Sequence, residues 1–219
     1  MKQPSVCVSA VLVAGSIWLS TPVSAQAPAR ALRSPQPTLE QVTYRGGLVS
    51  PPLPKPDFIL TDTSGARFDL RPKTRGRVTL LFFGYTHCPD ICPVHMAYLA
   101  SALKKLPASS AEQFKVVFVT TDPAHDTPQV LRAWLDHFDK GFIGLTGTEA
   151  EVGAAQTAAK MSPAAKTVSA NGAADFAHAA FVIAYTKDNL GHVIYPSGIT
   201  PEDWAHDLPQ LVTETWTNR

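Results

Sequence analysis

Apolar residues in this chain alternate between two rhythms. Unbroken apolar runs of about seven residues predict buried strands, and stretches recurring every three or four predict helices. The run Val78-Thr79-Leu80-Leu81-Phe82-Phe83-Gly84-Tyr85 reads as a strand covered on both faces. Residues 94–106 follow as a helix, with Met96, Leu99, Leu103 and Leu106 on one stripe. A second buried strand is expected over 114–120, a helix over 127–138, a short strand over 142–145 and an Ala-rich helix over 149–160. Residues 179–185 and 192–195 read as a hairpin across Lys187-Asp188-Asn189. A closing helix is expected over 204–216, interrupted or started afresh at Pro209.

Upstream, Phe58-Ile59-Leu60 and Arg67-Phe68-Asp69-Leu70 flank Asp62-Thr63-Ser64-Gly65, the pattern of a β-hairpin with a Gly-containing turn. The order hairpin, β, α, β, α, β, α, hairpin, α predicts an α/β fold with a central mixed sheet flanked by helices. Residues 162–176 are small and polar, with Asn171-Gly172 as a turn signal, and read as a flexible loop leading into His178.

The first 52 residues carry a different pattern. Lys2, the apolar stretch 6–19 and Val23-Ser24-Ala25 give residues 1–25 the form of a signal peptide. The apolar stretch is short for a membrane span, which needs roughly 20 residues. The alternative is an uncleaved N-terminal anchor, and only then is a membrane a partner. Export places the mature chain in the periplasm or another extracytoplasmic space. Residues 26–52 form a Pro-rich linker and residues 53–219 the globular domain.

Composition narrows the functions available. The chain has 219 residues, 45% of them hydrophobic and 17% charged, with a net charge of +1. Such a balance is globular, and no basic run forms a patch, which excludes nucleic acid as a partner. Of three cysteines, Cys7 lies in the apolar stretch and leaves with the signal, so the mature chain keeps Cys88 and Cys92. A disulfide closing so short a loop removes little entropy from the unfolded chain, so stabilisation is a poor reason for the pair. Redox chemistry and metal binding are the two readings that remain.

The pair lies in Gly84-Tyr85-Thr86-His87-Cys88-Pro89-Asp90-Ile91-Cys92-Pro93, directly after the first buried strand, where open α/β sheets place their sites. Pro93 cannot donate within a helix but suits a first turn, so the helix proper is expected to start there. Cys92 then sits at a helix N-terminus, where the dipole favours its thiolate. Two convergent thiolates make a soft-metal site that lacks a third ligand. His178, just before a strand, reaches the cysteine turn if that strand runs antiparallel to 78–85. Two thiolates and an imidazole suit Cu(I), with Cu(II) as the oxidised alternative, better than structural Zn(II) with its four protein ligands. His87 is the rival third ligand, although strand alternation turns it away. His95, His137 and His206 fall in predicted helices as packed or solvated residues, and His125 and His192 lack a soft neighbour.

That decapeptide resembles the signature of the Sco/SenC copper proteins, which assist assembly of the binuclear copper centre of cytochrome c oxidase. Thr120-Thr121-Asp122-Pro123-Ala124-His125-Asp126-Thr127-Pro128 resembles the family's second block, and the similarity covers residues 54–216. The resemblance implies a thioredoxin-like fold, Cys88, Cys92 and His178 as copper ligands, and Asp122 near the site. A bland reading of Asp122 is a cap on the turn before Pro123. The resemblance also implies delivery of copper to an apo copper-site client, a cytochrome c oxidase subunit, with a thiol reductant keeping the cysteines open. The family's third block reads Asp-His-Ser or Asp-His-Thr, whereas this chain has Ala177-His178-Ala179, so the imidazole lacks an acidic neighbour and a hydroxyl.

Two other chemistries compete. A thiol–disulfide oxidoreductase keeping client cysteines reduced would use one sulfur to attack and the other to resolve. Thioredoxin-like reductases, however, resemble one another in a two-residue spacer and a proline before the facing strand, and Asp175-Phe176-Ala177-His178 has none. A peroxidase of the peroxiredoxin type needs Thr three residues before its cysteine, where this chain has Tyr85.

Overall fold

Val78–Gly84 (β4) is buried at every position, because it is a central strand with apolar side chains packed against both of its faces. The computed structural model describes residues 43–168, 174–177 and 180–216. Within them β1 (Gly47–Pro54), β2 (Ile59–Asp62), β3 (Arg67–Asp69), β4, β5 (Phe114–Thr120), β6 (Ile143–Thr146), β9 (Phe181–Tyr185) and β10 (Leu190–Pro196) form one mixed sheet. Its order is β1-β10-β9-β4-β5-β6-β2-β3. Strands β4, β5 and β6 run parallel, in register from Val78↔Phe114 to Gly84↔Thr120 and from Val117↔Ile143 to Val119↔Leu145. On the other side β9 pairs antiparallel to β4, with Leu81 opposite Ile183. The expected α/β architecture with a central mixed sheet is the one observed.

Period-two alternation along β4 divides the core. Val78, Leu80 and Phe82 pack with Met96 and Leu99 of α2 (Ile91–Lys104), Leu131 and Leu135 of α4 (Pro128–Asp136), and Trp204 and Leu208 of α6 (Pro201–Thr213). Leu81 and Phe83 face Leu60, Phe68, and Val152 and Ala155 of α5 (Glu149–Ala158). Each such burial contributes roughly 1.5–3 kcal/mol. The short helix α1 (Leu70–Lys73) joins β3 to β4, and α3 (Ala108–Ala111) joins α2 to β5.

Four stretches differ from the sequence reading. Gly47–Pro54 is a strand, although residues 26–52 read as linker; it pairs on one side only, with β10. Proline removes a ladder donor, which an edge strand tolerates. Tyr44 is buried too and its hydroxyl donates to Glu214 at 2.7 Å. Helix α2 starts at Ile91 instead of Pro93, since an N–H at the third helical position needs no partner. Helix α6 starts at Pro201 under a Thr200–Asp203 capping box and passes unbroken through Pro209. Ala205 and Pro209 face solvent, so water can take the carbonyl that Pro209 cannot satisfy. Within the expected loop 162–176, β7 (Ala165–Val168) and β8 (Ala174–Ala177) pair antiparallel; an Asn-Gly pair between them is itself a hairpin signal. Residues 1–42, including the expected signal peptide, lie outside the described residues. Among the described residues no helix is long and apolar enough to cross a membrane.

Candidate metal centre

The carboxyl ends of β4 and β5 meet where the chain enters the cysteine turn. Past the last ladder pair, Thr121 N–H donates to the Gly84 carbonyl at 2.7 Å. A buried carboxylate then ties the two loops together: Asp126 accepts from Thr86 N–H at 2.9 Å, from the Thr86 hydroxyl, and from the Thr120 hydroxyl at 2.6 Å. The Cys88 N–H donates to the Tyr85 carbonyl at 3.3 Å, and Cys92 enters the first turn of α2 behind the N-cap Asp90. Gly84 makes room for that helix. A β-carbon there would lie 2.8 Å from Cys92 Sγ, 2.9 Å from Phe82 and 3.1 Å from Phe118.

Both cysteines are free, Cys88 partly exposed and Cys92 fully buried. Their acidities diverge. A hydrogen bond from Cys92 brings the Cys88 thiol down to about 5 against the opposing pull of burial, helped by the backbone N–H groups of Cys92, Asp90 and Ile91. The same bond raises the Cys92 thiol, and burial, the Cys88 sulfur and Asp126 raise it further. At neutral pH the pair is therefore one thiolate holding one thiol. The sequence reading gave the helix-favoured thiolate to Cys92; the structure gives it to Cys88. The N–H groups of Asp90, Ile91 and Cys92 at the helix start act on the Cys88 sulfur, while Cys92 itself is already packed inside.

Asp122 is buried, and its carboxylate contacts His125 Nδ1 at 2.6 Å. The turn before Pro123 is closed by its backbone carbonyl, which accepts from His125 and Asp126 N–H, and not by its side chain. His87 does not simply turn away: its Nε2 lies 3.6 Å from Asp122 and its Nδ1 4.0 Å from Asp126. His95 is packed against Phe82, with burial lowering its pKa. His137 and His206 sit on helix surfaces, bonded to the Trp134 carbonyl and to Asp207 respectively. His192 stacks on Trp216 and contacts Asp188. His178 lies outside the described residues. The antiparallel β4–β9 pairing does bring the start of β9 to the edge where the cysteine turn lies. Among the described residues no three His, Cys, Asp or Glu groups converge into a ready-made metal cage. Asp126 was not picked out from the sequence; the available signal was a second aspartate in the same block, one residue before the Thr127 cap of α4.

Chemically, the turn offers a thiolate and a thiol one proton short of a dithiolate, open on the Cys88 side. Those are donors for a soft cation or a nucleophile for a disulfide.

The SCO1/SenC family model matches residues 50–213. The mitochondrial protein SCO2 of Saccharomyces cerevisiae is 39% identical over 95 residues, 43% of this chain and 31% of that protein. A SCO2-like protein of Rickettsia felis is 40% identical over 96 residues, 44% of this chain and 46% of that one. The matched stretches thus span under half the length of these curated relatives. Among solved structures, Bradyrhizobium japonicum ScoI with copper bound superposes with a TM-score of 0.64 at 31% identity, covering 73% of this chain and 99% of that one. Yeast Sco1 with copper bound gives 0.66 at 25% identity, covering 76% and 92%.

Proposed function

The chain belongs to the SCO1/SenC family, and on that premise we propose that it binds one copper ion through Cys88, Cys92 and His178 and delivers it to the binuclear copper centre of cytochrome c oxidase. The observation that carries the reading is the asymmetric pair of free cysteines, a partly exposed Cys88 and a buried Cys92 behind it, whose hydrogen bond brings the Cys88 thiol down to about 5. Two sulfurs within hydrogen-bond reach suit a soft ion. The entering cation meets Cys88 first, and the Cys92 proton leaves as the second sulfur binds. In this reading His178, three residues before β9 in the sequence, supplies the imidazole, and its sequence neighbours Ala177 and Ala179 carry no polar group to hold it. Export through residues 1–25 and action in an extracytoplasmic space belong to the same reading, as does a thiol reductant that keeps the pair open.

A second reading keeps the same turn. A thiol brought down to about 5, with a second thiol behind it, also suits attack on a disulfide and resolution of the mixed disulfide, so the chain would reduce a client's copper-site cysteines. Copper transfer to an apo client and reduction of a model disulfide, measured in parallel on His178→Ala, separate the two. Transfer lost with reduction intact supports delivery. Equal loss of both, or loss of reduction alone, supports the reductase.

A further inference from the structure

Two imidazoles crowd one buried carboxylate beside the cysteine turn. His125 Nδ1 is 2.6 Å and His87 Nε2 3.6 Å from the same Asp122 oxygen. The Asp122 side chain is 1% exposed, the His87 and His125 side chains 42% and 62%. An ionised carboxylate only accepts, so the His125–Asp122 bond carries its proton on Nδ1, and in the neutral ring Nε2 is then the nitrogen with a lone pair. Metal-binding histidines are held by carboxylates in this way. The two rings lie edge to face with centroids 5.7 Å apart. One ion bound by two imidazoles at about 2.0–2.1 Å keeps their ring centres roughly 5–6 Å apart, the spacing these two rings have. His87 is also the immediate chain neighbour of Cys88.

We propose that His87 and His125, braced by Asp122, form a second and weaker copper-holding site at the entrance to the cysteine turn. The ion rests there before passing to sulfur, a role that depends on the copper-delivery reading above. With only two protein donors the site is incomplete, its other positions filled by water or by the donor's own ligands. Incompleteness suits transit, because a weakly held ion exchanges ligands readily. Imidazole is the harder donor, so copper moves downhill to thiolate. The step is a ligand exchange with no change of oxidation state: nitrogen–copper bonds break, sulfur–copper bonds form, and the Cys92 proton passes to water.

The test is Cu(II) titration of the Cys88→Ser, Cys92→Ser chain, followed by electron paramagnetic resonance. One ion with nitrogen coupling from two imidazoles is expected. Adding His125→Phe should weaken it about tenfold or more, a shift of roughly 1.4 kcal/mol, whereas His137→Phe, at an exposed imidazole elsewhere, should change nothing. With both cysteines present, His125→Phe should leave one copper bound per chain yet slow loading from limiting copper several-fold. Unchanged affinity and nitrogen coupling, or an unchanged loading rate, overturns the proposal. If the intact chain binds copper only at the imidazole pair and never at sulfur, the imidazole site stands and the delivery reading falls.

Discussion

Cys92 donates its thiol hydrogen bond to Cys88, and that single bond drives the two sulfurs' acidities in opposite directions. Cys88 is the exposed, ionised partner and Cys92 the buried, protonated one.

Alkylation of the reduced, metal-free chain should therefore modify Cys88 first, with a rate that follows a titration centred at about 5. Cys92→Ala removes the largest cause of the shift and should move that midpoint up toward the ordinary thiol value of roughly 8.5. The sign for stability follows from the depressed acidity. The Cys88 contribution is fully present above the unfolded value, about 8.5, and is lost as pH falls through about 5. Cys92, shifted upward, contributes with the opposite sign, losing its share as pH rises above its unfolded value. A rate profile centred near 8.5 in the intact chain would count against the shared-proton pair.

Copper loading at pH 7 should release about one proton, since Cys88 is already ionised and only Cys92 has a proton to lose. The measurement is calorimetry in buffers of different ionisation enthalpy. Release of two protons would mean that both sulfurs are thiols before loading.

Gly84→Ala places a methyl 2.8 Å from Cys92 Sγ and 2.9 Å from Phe82, both in the packed core. Overpacking of this kind costs about 1–3 kcal/mol. The displaced sulfur should also alter the absorption spectrum of the copper-loaded chain. Urea unfolding reads the first effect, spectroscopy the second. An unchanged spectrum would show that Cys92 does not depend on this contact.

Asp126→Asn should destabilise the fold by about 1.5–3 kcal/mol, because a buried carboxylate here accepts from two hydroxyls and one backbone N–H. The same variant should ease ionisation of Cys92, since the Asp126 charge opposes it. Thiol titration and urea unfolding on one sample check both. Lost stability with unchanged thiol acidity would confine Asp126 to a structural role.

Much of this protein is legible one residue after another. The apolar run of β4 can only be a strand buried on two faces, and the spaced stripe of Met96, Leu99 and Leu103 can only be an amphipathic helix against it, because side-chain period follows from backbone geometry. Two nearby cysteines after that strand place a reactive turn at the sheet's carboxyl end. Local rules misjudged elements whose stability is not local. Gly47–Pro54 becomes a strand through pairing with β10, far along the chain, and α6 crosses Pro209 because Trp204, Leu208 and Leu211 are buried on its other face. The division of labour between the sulfurs was beyond sequence for the same reason. Both cysteines flank one helix start, and only packing decides that Cys92 is sealed against Gly84 and Phe82 while Cys88 stays open to receive the N–H groups. Asp126 likewise becomes a brace only where β4 and β5 end side by side. The chain's order determined which chemistry the turn can hold; which sulfur carries the charge was decided by the low dielectric and fixed dipoles of the assembled fold.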